Sequence, residues 1–368
     1  MISLIFFIFL LKFINGNNLL FNNTILQRFI YDEVSDTIVL AAVNHLYLLN
    51  GNDFEVITDV DLSSSTSDRQ CLASNKTTSS TKLNYFFSIS SYLQRSENET
   101  FNQLLLLYND SILACSTLNR GSSCQLRSLI DLEVLKNSSQ RLVSSSPFYP
   151  SVGFISRNSP ILYLSNTYDP ICDPFYENPT ISGRHLSGNH FLSPIHFNTG
   201  QSALQQSTYQ LRLLNLRLVK EFFLHYIYGF EYKHFSYFLT IQQSDLHHKY
   251  RLQSKIVRFC QTWRQPMMKS YMEIPLTCGQ THHYLITAKY SPIDQKLYGL
   301  FRNTSSANHT TTSHAICHYT IDQIQEAFFQ TIKHCLVDGK GSRGLGFLSP
   351  DTHCVSSKVN QSGFDHDS

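Results

Sequence analysis

Twelve short segments rich in apolar, β-branched or aromatic residues recur along this chain, with turn formers between them. They are Arg28–Tyr31, Thr37–Val43, Leu46–Leu49, Leu83–Ile89, Leu104–Tyr108, Ser111–Cys115, Ile161–Leu164, Phe235–Ile241, Lys255–Cys260, Tyr284–Ala288, Leu297–Phe301 and Ala315–Tyr319. Gly51-Asn52, Asn109-Asp110 and Ser291-Pro292 are among the turns. Many short strands at modest spacing, with no long helices alternating between them, predict an all-β sandwich, barrel or propeller and disfavour a βαβ fold. One segment has a different period. Thr320 followed by Gln323 is a capping-box pattern, and Ile321, Ile324, Phe328, Ile332 and Cys335 recur at helical spacing, so one amphipathic helix is predicted over roughly 321–336.

The 368 residues would ordinarily divide into two or three domains, although a repeat architecture absorbs this length as one unit. The polar stretches Ser63–Thr81, Ser187–Ser207, Asn303–Ser313 and Ser356–Ser368 look like long surface loops or a frayed tail, and none has a linker's composition. A hydrophobic content of 42%, with 26 Phe and 20 Tyr, buries enough apolar surface to offset the entropy of ordering. Lys plus Arg number 29 against 27 acids, and a net charge of +2 lacks the basic clusters that neutralise phosphates. A nucleic-acid partner is therefore not expected.

The first sixteen residues carry an apolar run, Ile2 to Leu11, followed by Asn15 and Gly16, and read as a secretory signal peptide. Lys12 sits late for that role and the basic leading region is missing, so a buried N-terminal strand is the alternative. No other stretch is long and apolar enough to span a bilayer. Leu211–Phe230 comes nearest and is broken by Arg212, Arg217, Lys220 and Glu221. Asn-x-Ser/Thr acceptor sequences at Asn22, Asn75, Asn98, Asn109, Asn137, Asn303, Asn308 and Asn360 agree with export. So do the nine cysteines, which in an oxidising compartment form cystines, with an odd one left over.

Candidate chemistry is sparse. Gly339-Lys340-Gly341-Ser342-Arg343-Gly344 spells a dinucleotide fingerprint, but a helix precedes it and Pro350 follows, the reverse of the strand-then-helix order that faces a pyrophosphate. A tight loop between two cysteines fits better. His309, His314, Cys317 and His318, with the pairs His247-His248 and His282-His283, suggest zinc only if Cys317 is a free thiolate. There is no nucleophile elbow, zinc-protease helix or phosphate loop. No catalytic, cofactor-binding or metal-binding residue is assigned.

Several collinear blocks carry a more specific signal. They are Leu20-Phe21 with Asp36–Leu49; Leu105–Leu107 with Ser111–Ser116 and Cys124–Arg127; Ile161–Tyr168 with Pro179–Leu186; and Gly229-Phe230 with Phe235–Gln242. The most distinctive is Lys255-Ile256-Val257-Arg258-Phe259-Cys260 followed by Ser270–Cys278. Together they resemble the sema domain, and within it the extracellular domain of plexins. A semaphorin, which shares the fold, would more often show a different run at Lys255–Cys260.

The resemblance implies a seven-bladed β-propeller of four-stranded antiparallel blades, with the single helix lying between Cys317 and the next cysteine. It implies the pairs Cys115 with Cys124, Cys278 with Cys317, and Cys335 with Cys354. Cys260 corresponds to a cysteine whose partner lies further along such a domain. Cys71 matches one member of an early pair and Cys172 falls outside the pattern, so these two either bond to each other or stay free.

Only fourteen residues follow Cys354. The expectation is a signal peptide at 1–16 and a partial sema domain at 17–368, incomplete at its C-terminus. The implied role is extracellular recognition of semaphorins by a cell-surface receptor in guidance signalling, with a homo-oligomer through the sema domain left open. A semaphorin-like ligand or soluble decoy is the alternative, and a propeller enzyme with a small-molecule substrate is disfavoured.

Overall fold

Among the described residues of the computed structural model, nineteen strands pair into five antiparallel sheets, and in each sheet consecutive strands are neighbours. The structure describes residues 21, 24–63, 99–118, 121–138, 140, 142–144, 149–167, 180–196, 208–211, 222–244, 252–261, 267–303, 313–339, 343–344, 354 and 356. The predicted strand Leu83–Ile89 lies outside them. The chain divides into two compact units, Met1–Tyr149 with Asp169–Asn178, and Pro150–Tyr168 with Pro179–Ser368.

The first unit holds two four-stranded sheets. One runs β1 (Leu26–Asp32), β2 (Thr37–Ala42), β3 (His45–Asn50) and β4 (Val56–Asp61); the other runs β5 (Asn102–Tyr108), β6 (Ser111–Leu118), β7 (Gly121–Ser128) and β8 (Val134–Ser138). Val39, Ala41, Leu46 and Leu48 pack with Leu105, Ile112 and Ala114 to join these sheets. The other face of β2 and β3, with Ile38, Leu40 and Leu49, packs on Tyr31, Tyr47 and Phe54. A strand buried on both faces loses the apolar-polar alternation of a half-buried one, which is why Thr37–Val43 reads as a continuous run. The β1–β2 turn is fixed by the Asp32 carboxylate, which accepts the Val34 and Ser35 amides.

The second unit holds three sheets. The strands are β9 (Ser151–Ile155), β10 (Ile161–Asn166), β11 (Ile181–His185) and β12 (Gln210–Leu211); β13 (Leu224–Tyr232), β14 (Phe235–Gln243), β15 (Leu252–Cys260) and β16 (Met272–Pro275); and β17 (His282–Ser291), β18 (Lys296–Asn303) and β19 (His314–Thr320). Tyr163, Tyr209, Tyr226, Phe238, Val257, Phe259 and Tyr271 form its largest core cluster. Phe238 stacks on Phe259 with centroids 6.1 Å apart, and Tyr226 meets Phe238 edge-on at 6.0 Å.

Among the described residues, two helices punctuate this unit, α1 (Met267–Ser270) and α2 (Ile321–Asp338). The capping box forms as the sequence predicts, and Ile321, Ile324, Phe328 and Cys335 face inward. The helix runs two residues past the predicted end because Gly339, at φ 62°, closes it with its amide donating to the Cys335 carbonyl. The short α1 and a single 3-10 turn at Gly188–His190 are additions to the one predicted helix.

Candidate functional site

The distinctive sequence run at 255–260 becomes β15, and the run at 270–278 ends α1, supplies β16 and reaches the bridge Cys278 makes with His282. The two strands pair Lys255 with Pro275, Ile256 with Ile274, Val257 with Glu273 and Arg258 with Met272. Side chains of alternating direction then divide the work. Val257 and Phe259 enter the aromatic core. The Arg258 guanidinium lies between two rings, 4.6 Å from the centroid of Phe235 and 4.3 Å from that of Phe328. It thereby ties α2 to the sheet, and burial lowers its pKa.

Glu273 is the polar centre of the same sheet. Its side chain is 1% exposed, and its carboxylate accepts Lys255 Nζ at 2.9 Å and the Tyr271 hydroxyl. Burial first, and the charge of Glu273 second, hold the Tyr271 hydroxyl well above its usual pKa, so it stays a donor. The Glu273 amide donates to the Arg343 carbonyl at 2.7 Å. Arg343 Nη1 donates in turn to the Lys269 carbonyl at 2.7 Å and the Tyr271 carbonyl at 3.3 Å. Gly344, at φ 122°, lies against the Glu273 side chain, where an added Cβ would stand 2.7 Å from Oε2. Arg343 and Gly344 thus strap the free edge of β16. A carboxylate so enclosed ties β15, β16 and the Arg343 strap together.

Three disulfides lie among the described residues. Cys115 bonds Cys124 directly across the β6–β7 ladder, Cys278 bonds Cys317, and Cys335 bonds Cys354. Cys260, half-buried at the end of β15, keeps a free thiol; its amide donates to Ser270 Oγ at 3.0 Å and its carbonyl accepts the Tyr209 hydroxyl. Cys71 and Cys172 lie outside the described residues.

Of the glycan acceptors, Asn109 is exposed in the β5–β6 turn, Asn137 is exposed on β8, and Asn303 is half-buried at the end of β18. Asn22, Asn75, Asn98, Asn308 and Asn360 lie outside the described residues, as does the predicted signal peptide. With Cys317 in a disulfide, the histidine cluster loses its thiolate. Among the described residues no three His, Cys, Asp or Glu side chains are grouped to hold a metal. Among them, too, no helix is long and apolar enough to cross a membrane.

The most exposed apolar side chains, Val34, Ile293 and Ile130, lie in turns, and others lie on strands. Val56 and Ile57 lie on β4, Val134 and Leu135 on β8, and Tyr298 and Ile316 on the last sheet, Ile316 being 77% exposed. Single exposed residues are ordinary, but repeated aliphatics on strand edges suit contact with other proteins. The Arg258 clamp and the Glu273 centre were not assigned from sequence. Their signal was present as the most distinctive block, whose residue roles only the register of β15 and β16 makes visible.

Comparison with known proteins gives a consistent result. The Sema domain family profile matches residues 280–363. Zebrafish (Danio rerio) Plexin-A4 is 26% identical over 297 residues, covering 70% of this chain and 15% of that protein. Human Plexin-A2 is 27% identical over 296 residues, with the same coverage. The chain thus spans about 15% of the length of these curated relatives. Among solved structures, the Plexin A4 full extracellular region superposes with a TM-score of 0.68 at 21% identity, over 91% of this chain and 38% of that one. Drosophila Semaphorin 2a superposes with a TM-score of 0.54 at 14% identity, over 83% of this chain and 49% of that one. The sheets described above thus share their fold with these solved plexin and semaphorin structures.

Proposed function

We propose that this chain is a plexin-like sema domain, the extracellular ligand-recognition module of a cell-surface receptor whose partner is a semaphorin. The observation that carries the proposal is the match to plexins over 70% of the chain, reinforced by the residue roles found in β15 and β16. A chain of the solved complex of Drosophila Plexin A with Semaphorin 1b superposes on this one with a TM-score of 0.51. Recognition by such a domain uses large surfaces on strands and loops, on the order of 1,200–2,000 Å², and needs no catalytic group. On this reading residues 1–16 direct the chain to the secretory pathway, residues 17–368 form the recognition domain, and the role is binding, not catalysis.

The test is direct binding. The chain, secreted from animal cells, is immobilised and challenged with the ectodomains of secreted and membrane-bound semaphorins, with a Plexin-A4 ectodomain on a parallel surface as the positive control. Saturable binding to one or more semaphorins, competed by the soluble Plexin-A4 ectodomain, is expected. Binding on the control surface with none on this chain would overturn the proposal.

A further inference from the structure

Two turns meet at one end of the β5–β8 sheet. The β5–β6 turn is the pair Asn109-Asp110, with Tyr108 and Ser111 opposite each other at its mouth. The β7–β8 turn runs from Leu129 to Glu133, and its Leu129 amide donates to the Asp110 carbonyl at 3.1 Å. The β6–β7 ladder pairs Ser111 with Ser128. Carried two residues further through the Asp110 and Leu129 contact, that register sets Asn109 beside Ile130.

Each turn holds one residue that the fold leaves outside. Leu129 and Leu132 enter the core between the first two sheets, while Ile130 between them is 80% exposed. Asn109 is exposed as well, and among the described residues its side chain has no hydrogen-bond partner. Its backbone is left-handed, at φ 51°, which a short polar side chain tolerates. Asn109-Asp110-Ser111 is an acceptor sequence of which all three residues are described, with Ser111 opening β6. Of the other described acceptors, Asn137 engages Ser123 and Asn303 is half-buried.

We propose that Asn109 carries an N-linked glycan whose first sugar covers Ile130. The inference rests on the secretory reading above. The transfer joins the anomeric carbon of an oligosaccharide to Asn109 Nδ2. The bond from that carbon to its lipid diphosphate carrier breaks, the diphosphate leaves with the bonding electrons, and Nδ2 gives up one proton. A sugar ring carries C–H surface on its faces and hydroxyls at its rim. Laid on Ile130, it takes aliphatic surface out of water while its own hydroxyls stay hydrated. The modification thereby completes a turn whose aliphatic side chain the polypeptide alone leaves wet.

The secreted full chain tests this in two steps. Enzymatic removal of N-glycans in heavy-oxygen water converts each occupied Asn to a mass-labelled Asp, and the peptide containing residue 109 is expected to carry the label. Label at other positions with Asn109 unlabelled would overturn this proposal alone, whereas no glycan anywhere would overturn the secretory reading beneath it. The second step asks what the sugar touches. Ser111→Ala destroys the acceptor sequence and leaves Asn109 in its turn, and it is expected to lower Tm by a few degrees. In the Ile130→Ser chain the same change is expected to cost less than half as much, and equal falls in the two backgrounds would overturn the contact. Should Ser111→Ala fail to be secreted, the folded chains are trimmed instead. Complete removal of glycans should lower Tm more in the parent than in Ile130→Ser, while trimming to the first sugar should keep the two differences from their untrimmed forms alike. A fall on trimming to the first sugar that Ile130→Ser abolishes would overturn the role of that sugar.

Discussion

Arg258 and Phe328 meet with the guanidinium carbon 4.3 Å from the ring centroid, 70 residues apart in the chain, and this contact fastens α2 to the sheet of β13–β16. Phe235 closes the other face of the cation at 4.6 Å. Phe328 is fully buried, so Phe328→Ala is expected to cost about 3–5 kcal/mol, the range for losing a core aromatic ring. A double-mutant cycle with Arg258→Met and Phe328→Leu should return a coupling of about 1 kcal/mol by denaturant unfolding. Strict additivity would remove the cation from its place in the account.

Glu273 and Lys255 form a pair whose side chains are 1% and 13% exposed, so breaking it by halves is the damaging change. Glu273→Gln strands the Lys255 cation and should destabilise by about 3–5 kcal/mol, while replacing both with apolar residues of similar volume should cost far less. Unfolding midpoints of the single and double variants decide the matter.

His225 is buried, and desolvation lowers its pKa from 6.5 to about 4. As pH falls the unfolded chain takes up this proton first, so stability is fully present above pH 6.5 and is lost progressively between pH 6.5 and 4. Each tenfold difference in proton affinity between the folded and unfolded chains is worth about 1.4 kcal/mol, so the loss approaches about 3 kcal/mol. His225→Gln should flatten the stability profile in that window relative to the parent. Identical profiles from pH 7 to pH 4 would mean that His225 is not the group responsible.

The Cys335–Cys354 bond closes a loop of sequence separation 19, for which chain entropy gives about 3 kcal/mol. Replacing both cysteines with Ala should lower stability by that order and loosen the strap that Arg343 makes over β16. Hydrogen exchange at the Glu273 amide reads the second effect, because that amide is bonded to the Arg343 carbonyl. Protection unchanged in the variant would show that the strap holds without its disulfide.

Much of the fold is legible before any coordinates, and the gaps have physical causes. The helix is written in Thr320, Gln323 and a regular apolar stripe, all local signals. Central strands such as β2, β14 and β15 are apolar runs and stand out. The strands β4, β8, β11 and β16 do not, because edge positions are short and polar, and because β11, Ile181–His185, buries Ser182, Gly183 and Arg184 in a sequence that looks like a loop. Gly183 is there because the Tyr209 ring leaves no room for a Cβ. β13 was hidden for the opposite reason, its aromatic residues merging with the preceding apolar stretch. The Arg258 clamp joins residues 235, 258 and 328, and no local pattern announces a contact of that range.

The strap over β16 also sets an order of events during synthesis. Arg343 closes onto Tyr271 from 72 residues downstream, and a ribosome adding about 5–20 residues each second needs several seconds to deliver it. Throughout that interval β16 is made but uncovered, with β17, β18, β19 and α2 still emerging. The nascent chain therefore passes through a period in which a completed sheet has an open margin, and chaperones have a defined place and a defined time to act.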